Sequence, residues 1–166
     1  MAYLIDANVF IAAKNLHYGF DFCPAFWDWL VSGHRAGRVF SIEKVGDELA
    51  AGADDLSNWA GALGDGFFLR PDATTLPALG TVATWATGQT SYTAAAKNTF
   101  LQVADYYLVS QALAGGHVAV THERPNNSAN TIKIPSACLG VGVSYVSPFE
   151  MLRRERARFV LGAAGA

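Results

Sequence analysis

The chain of 166 residues is 51% hydrophobic and 16% charged, and its 12 basic and 14 acidic side chains leave a formal net charge of −2. This composition predicts a single globular domain, residues 1–166, and it argues against disorder and against a membrane span, because no apolar run reaches the roughly 20 residues that a span needs. The slight negative charge argues against a protein that coats nucleic acid non-specifically, while leaving room for a local basic groove.

The first half of the chain predicts one short strand followed by helices. The apolar run AYLI, residues 2–5, is typical of a buried strand. Three helices are then predicted, over residues 21–33, 41–52 and 54–63. Pro24 falls in the first turn of the first helix, while Ser41 is the expected N-cap of the second and Gly52 its end.

The second half predicts further helices and three more strands. The helices are expected over residues 76–86, 91–102, 103–116 and 148–161. The strands are HVAVT, TIKIP and VSYVS, at residues 117–121, 131–135 and 143–147. Helices that separate short apolar strands predict an α/β fold with a buried, mostly parallel sheet. Because such sheets bind ligands beyond the carboxyl ends of their strands, acids that follow strands become candidate site residues.

Two predicted strands end in this way. Asp6 follows the first strand directly, with Asn8 two residues on, and VAVTHE ends in Thr121 and Glu123. An unpaired carboxylate at the end of a buried strand costs several kcal/mol to desolvate (roughly, on effective scales). Asp6 is therefore expected either to cap a helix or to face something positive.

Two further acids lie on predicted helices. On a helical wheel Glu48 borders the buried stripe of its helix, where it either snorkels to solvent or lines a cleft. Asp105 falls in the middle of the apolar face of its helix, as a first-turn acid facing backbone amides or as a carboxylate delivered into a cleft.

These four acids could share one site. Four carboxylates that meet without lysine or arginine between them would repel one another and raise their own pKa values. A hard divalent cation would resolve this conflict, because Mg²⁺ and Mn²⁺ prefer oxygen ligands. Asp6, Glu48 and Asp105 are the firmer candidates, whereas Glu123 could bind a metal directly, bind through water, or cap the following loop.

The order of these motifs resembles that of PIN-domain (VapC-like) ribonucleases. YLIDANVFI is similar to their first strand, with its Asp-x-Ser/Asn pattern, and DEL followed by a glycine is similar to their second acidic position. ADYYLVSQALAGG resembles the helix with their third acid, and VAVTHE stands where they have Thr-x-Asp, with Glu123 in place of Asp. FDFCPAFWDWL, ADYYLVSQALAGGHVAVTHE and IKIPSACLGVGV resemble a PIN-like family of mostly uncharacterised prokaryotic proteins, and the likeness runs from Met1 to about Leu161.

The resemblance implies a three-layer α/β/α fold and hydrolysis of RNA phosphodiester bonds with Mg²⁺ or Mn²⁺, leaving 5′-phosphate and 3′-hydroxyl ends. It makes Asp6, Glu48, Asp105 and Glu123 the catalytic metal ligands, with Asn8 and Thr121 as supporting groups that hold carboxylates or water in place. It also implies the toxin of a type II toxin–antitoxin system, hence a cognate antitoxin partner, and a homodimer.

Two other functions stay open at this point. One is a non-catalytic PIN-like module that binds RNA or protein, because the altered fourth acid would not support turnover. The other is a haloacid-dehalogenase-like phosphatase, which also carries Asp after its first strand. That family usually has Asp-x-Asp there, so Asp6-Ala7-Asn8 counts against it.

The remaining residues are expected to be structural. Cys23 and Cys138 lack metal-ligand spacing and are predicted to be buried thiols of a reducing compartment, which, without a signal-peptide pattern, indicates the cytoplasm. His122 is near the predicted site but is interpreted as a loop residue, and His17 and His34 are expected at the surface. A core or a dimer interface is the expected place of the aromatic side chains Phe22, Phe26, Trp27 and Trp29.

Overall fold

A computed structural model describes residues 1–162 and shows an α/β fold around one parallel sheet. The strands are β1 Tyr3–Ile5, β2 Val39–Ile42, β3 Phe68–Leu69, β4 Val118–Val120 and β5 Tyr145–Val146. Their order across the sheet is β3-β2-β1-β4-β5, and each neighbouring pair is parallel. Leu4 of β1 pairs with Phe40 on one side and Ala119 on the other. The predicted fold class is therefore confirmed.

Nine α-helices and one π-helical turn join the strands in residues 1–162. They are α1 Ala7–Ala12, the π-helical turn Ala13–His17, α2 Pro24–Arg35, α3 Glu43–Ala51, α4 Asp55–Ala62, α5 Thr75–Gly88, α6 Ala94–Phe100, α7 Ala104–Gly115, α8 Ile134–Val141 and α9 Pro148–Arg154. From β1 the chain moves through β2 to β3 on one side, then returns to β4 on the other side. Because parallel crossovers are right-handed, this reversal places helices on both faces of the sheet and gives a three-layer α/β/α architecture.

The reversal also fixes where a ligand crevice should lie. β1 has β2 and β4 as neighbours, and the chain reaches them by connections that run in opposite directions across the sheet. In open parallel sheets, the carboxyl ends of strands at such a reversal of strand order are where a ligand crevice is expected. The centre of the sheet is fully buried, since every residue of β1 and β4 is in the core.

Helix ends follow local sequence signals. Asp54 caps α4 by accepting from Ser57 N–H at 2.9 Å, and Ser147 caps α9 through Glu150 N–H at 3.1 Å. Pro24 begins α2, as predicted. Gly116 ends α7 at φ 65°, a left-handed backbone that glycine adopts without strain.

Several predicted elements were wrong. Ser41 does not cap a helix, because VFSI forms β2 and α3 begins only at Glu43; the Ser41 hydroxyl instead donates to Ile5 O at 2.5 Å within the sheet. The two-residue strand β3 was not foreseen. TIKIP is not one of the five strands: its isoleucines alternate inward as in a strand, but Ile134 and Pro135 open α8.

The side chains expected to be structural divide between core and surface. Phe26, Trp27 and Cys138 are buried, whereas Phe22 is 66% exposed and Cys23 only partly buried. The two histidines expected at the surface, His17 and His34, are partly buried. His34 is partly buried against Phe40 and Phe67, and His17 packs on neighbouring rings. Among residues 1–162, every helix is too short or too polar to cross a membrane.

Candidate functional site

Asp6 lies at the carboxyl end of β1, at the point where the strand order reverses. Its main chain continues the sheet, with Asp6 N–H donating to Val120 O at 2.9 Å, and its side chain is only 5% exposed. Asp6 is the residue before α1, yet its carboxylate makes no capping hydrogen bond. Of the two roles that the sequence allowed, helix capping is therefore not the one that this side chain plays.

A hydrogen-bond network joins the ends of β1 and β4. The Thr121 hydroxyl donates to Asp6 Oδ2 at 2.9 Å and accepts from Asn8 Nδ2 at 3.4 Å. Asn8 Oδ1 in turn accepts from His122 N–H at 3.2 Å. Asn8 and Thr121 thus hold the Asp6 carboxylate in a fixed orientation, the supporting position that the resemblance implied for them.

Glu123 reaches forward to the next helix. Its Oε2 accepts from Ile134 N–H, the first amide of α8, at 2.7 Å, and its Oε1 lies 3.4 Å from Lys133 Nζ. Its own N–H donates to Thr121 Oγ1 at 3.1 Å. Of the three roles considered for Glu123, the structure shows a form of capping, although the capped element is α8 and not the loop after it.

Asp105 lies in the first turn of α7 and is partly buried. Burial, reinforced by the charges of Glu123 and Glu48, raises the pKa of Asp105 to about 6, while Lys133 acts in the opposite direction. The pKa of Asp105 is therefore influenced by Glu48 from α3 and by Glu123 from the end of β4. The prediction that its helix delivers a carboxylate into a cleft stays a prediction.

Glu48 is the outermost of the four acids. It is exposed on α3, yet partial burial of its carboxyl group raises its pKa. Its charge acts on Asp105. Its place at the border of the buried Val45 and Leu49 follows the helical wheel, and it faces the site rather than the far side of the protein.

The four side chains, hereafter the acidic cluster (Asp6, Glu48, Asp105 and Glu123), form one electrostatic unit. Burial, then the charges of Asp105 and Glu123, raises the pKa of Asp6 to about 7, against the lowering effect of the Thr121 hydrogen bond. Within residues 1–162, no lysine, arginine or histidine nitrogen lies within ion-pairing distance of Asp6, Glu48 or Asp105. Three of the four acids therefore have no direct counterion.

One premise about this cluster was wrong, because a lysine does lie beside it. Lys133 pairs with Glu123 and lowers the pKa of Asp105, so its ammonium offsets part of the negative charge. The sequence reasoning missed Lys133 because it was assigned to a strand. The turn from the extended segment into α8 brings it back to the site, and the one usable signal was Pro135, which suits the first turn of a helix.

The four acids have the chemistry that a hard cation prefers, but they do not form a preassembled set of metal ligands in residues 1–162. All four side chains offer carboxylate oxygen, which Mg²⁺ and Mn²⁺ prefer. In the part of the chain that the structure describes, however, no three His, Cys, Asp or Glu side chains form a group close enough to hold a metal together. Mg²⁺ commonly binds proteins through one or two carboxylates and keeps several waters.

Comparison with known proteins assigns the chain to a family. No curated protein shows significant similarity to the chain, and no solved structure does. A family profile with the description Domain of unknown function (DUF4411) matches residues 3–159, which includes the whole sheet and every residue of the acidic cluster. A match over this much of the chain assigns the family, and the protein belongs to DUF4411.

Proposed function

We propose that this protein is a metal-dependent endoribonuclease that hydrolyses RNA phosphodiester bonds. The observation that supports it best is Asp6, a nearly inaccessible carboxyl group without a direct counterion. It lies at the end of β1, where the order of strands along the chain reverses across the sheet. A stable fold does not need such a residue, because burying an unpaired charge destabilises the native state. A carboxylate held there at this cost is typical of a site that binds a cation.

In this proposal Asp6 and Asp105 hold one or two Mg²⁺ or Mn²⁺ ions, with Glu48 as an outer ligand and Glu123 as a weaker fourth. A bound divalent ion would lower the pKa of an attacking water and neutralise charge on the phosphate. Thr121 and Asn8 keep the Asp6 carboxylate oriented through their hydrogen bonds. Glu123 ties the end of β4 to α8 and holds Lys133 at the edge of the site, where its ammonium attracts a phosphate.

The test is cleavage of a labelled RNA by the purified protein with Mg²⁺, with Mn²⁺ and with EDTA. The wild type should cut internally only with a divalent ion and leave 5′-phosphate and 3′-hydroxyl ends. Asp6→Asn and Asp105→Asn should each lose roughly 100-fold in rate or more, since loss of a partner that only supports a metal ligand already costs about 10–100-fold. Asp28→Asn, which changes an exposed acid on α2, should cleave like the wild type. Equal cleavage by wild type and a folded Asp6→Asn variant would refute the proposal.

The biological setting is part of the same proposal and rests on the PIN-like motifs. The protein acts in the cytoplasm as the toxin of a type II toxin–antitoxin pair and is a homodimer. Growth arrest on induced expression, relieved by the product of an adjacent small open reading frame and absent with Asp6→Asn, is the expected result. Light scattering of the purified chain measures whether it is a dimer.

A second candidate, a non-catalytic module that binds RNA or protein, is favoured by two observations. Among the described residues no three-residue metal group is already formed, and Glu123 is engaged by Lys133 and Ile134. For this candidate, calorimetry should show no Mg²⁺ or Mn²⁺ binding near physiological concentration, while RNA binding persists in EDTA. Metal binding that disappears in Asp6→Asn would favour the nuclease over the non-catalytic module.

A further inference from the structure

Three aromatic rings from separate parts of the chain meet beside the acidic cluster. The rings of His17 and His122 lie 5.3 Å apart between centroids, and Phe149 lies 5.2 Å from His17 and 5.6 Å from His122, edge-on to both. These three side chains, hereafter the aromatic cluster, are all partly buried, so each keeps part of its ring accessible. They contrast with Phe10, Phe26 and Phe67, which are fully buried in the core.

The topology puts the aromatic cluster at the edge of the sheet where the acids lie. His122 directly follows the end of β4, Phe149 stands in the first turn of α9 after β5, and His17 ends the π-helical turn that extends α1 beyond β1. The π-helical turn is closed by Tyr18 N–H donating to Ala13 O at 2.7 Å. Such wide turns within helices are frequently found at functional sites.

Hydrogen bonds couple the two clusters. His122 N–H donates to Asn8 Oδ1, and Asn8 donates to the hydroxyl of Thr121, which holds Asp6 Oδ2. His122 is also the residue between Thr121 and Glu123. Asn8, which accepts one of these bonds and donates the other, therefore fixes the main chain at His122 relative to Thr121 and Asp6.

Positive charge lies close to the rings. Arg153 stands four residues after Phe149 on α9 and so shares its face. It is exposed, it makes no ion pair with any residue in 1–162, and its charge opposes the rise in the pKa of Tyr18 that burial causes. Tyr18 is the neighbour of His17, with ring centroids 6.2 Å apart. Accessible rings next to a free guanidinium match the chemistry of a nucleotide, in which a flat base adjoins a phosphate.

We propose that His17, His122 and Phe149 form a nucleobase-stacking subsite that holds the base next to the reacting phosphodiester, with Arg153 on a neighbouring phosphate. This inference rests on the proposed action on RNA, but it concerns binding and not the cleavage step. The network through Asn8 and Thr121 would set the distance between the stacked base and the acids. Removal of one ring should weaken RNA binding, because stacking of a base on an aromatic side chain is measurable by single substitutions.

The test is fluorescence anisotropy of a short labelled RNA strand with the full chain in EDTA, where no metal-dependent cleavage occurs. Phe149→Leu and His122→Ala should each raise the Kd at least about fivefold, and Phe149→Tyr and His122→Phe, which retain a ring, should bind within about twofold of wild type. Tyr92→Leu removes a partly buried ring that packs on Trp85 and not on the aromatic cluster, and it serves as the matched control. A strand with abasic sites should bind more weakly to wild type and equally to all variants.

The outcomes separate this inference from the nuclease proposal. If wild type cleaves RNA and Asp6→Asn does not, but ring removal leaves the Kd unchanged in variants whose circular dichroism is native, the subsite is refuted and the nuclease stands. If no cleavage is found but binding depends on the rings and on the bases, the subsite stands on a non-catalytic module. Ring-retaining variants that bind as weakly as Phe149→Leu would overturn stacking as the cause.

Discussion

Substitution of Asp6 by asparagine should stabilise the metal-free protein at neutral and alkaline pH. The carboxyl group is nearly inaccessible, and burial together with the charges of Asp105 and Glu123 raises its pKa from 3.8 to about 7. The native state therefore binds this proton more tightly than the unfolded chain does. Stability is lost as pH rises from the ordinary carboxyl pKa to the raised one, and the whole penalty is present above it.

The size of the effect follows from this difference in pKa. A carboxyl group displaced from 3.8 to about 7 corresponds to an upper limit of about 4 kcal/mol above the raised pKa. Relaxation and water entry reduce such penalties, so we expect Asp6→Asn to gain roughly 1–3 kcal/mol at about pH 8. Asparagine keeps an acceptor for the Thr121 hydroxyl. The substitution therefore removes charge without removing this hydrogen bond.

Urea unfolding in EDTA at about pH 5 and about pH 8 measures this difference. Wild type should lose more stability across the interval than Asp6→Asn does, and Mg²⁺ should restore the wild type while leaving the variant unchanged. Asp28→Asn, an exposed acid on α2, should follow the wild type within about 0.5 kcal/mol. If Asp6→Asn is less stable than wild type at the higher pH, the carboxylate has a compensating partner and the reasoning about the site is wrong.

Three further predictions test the surroundings of the site. Lys133→Met removes the cation beside the acidic cluster, so the Mg²⁺-induced rise in Tm should exceed that of wild type. An equal rise would mean that the charge of Lys133 does not affect Mg²⁺ binding. Gly140→Ala would drive a Cβ into the indole of Trp85, and urea unfolding should show a loss of roughly 1–3 kcal/mol. Gly80→Ala, in α5, places its Cβ in open space and should instead raise the free energy of unfolding by up to about 1 kcal/mol. A stabilising Gly140→Ala or a destabilising Gly80→Ala would contradict the helix packing. Burial raises the pKa of the Cys138 thiol to about 12, so a thiol reagent should label Cys23 in the native protein and Cys138 only after unfolding.

The site was partly predictable because some of its residues carry local signals. Asp6 interrupts an apolar run, and Asp105 stands on the apolar face of a helix, both patterns that can be seen within a few residues. Thr121 and Asn8 were foreseen through the motifs that they belong to. Glu123 was predicted to follow a strand, as it does, but its contacts were not predicted. Its partners Lys133 and Ile134 lie 10 and 11 residues further on, beyond a loop without hydrophobic periodicity.

The aromatic cluster and Lys133 could not be found in this way. His17, His122 and Phe149 come from three separate segments, and each histidine alone is typical of a surface loop. Their contact depends on the pairing of β4 with β5 and of β4 with β1, which no local pattern specifies. Lys133 was misplaced because alternating isoleucines suggest a strand even where the chain forms no ladder.

The sequence by itself determined the α/β class, most of the helices and the acids that end strands, since hydrophobic periodicity, caps and prolines act over a few residues. Tertiary structure decided the strand order, the strands β2 and β3, and which polar groups meet. The Thr121 hydroxyl and Asp6 are separated by 115 positions, yet they lie 2.9 Å apart. Contacts over such separations depend on how the sheet and its two helical layers pack, because burial of the apolar faces selects one arrangement of the whole chain.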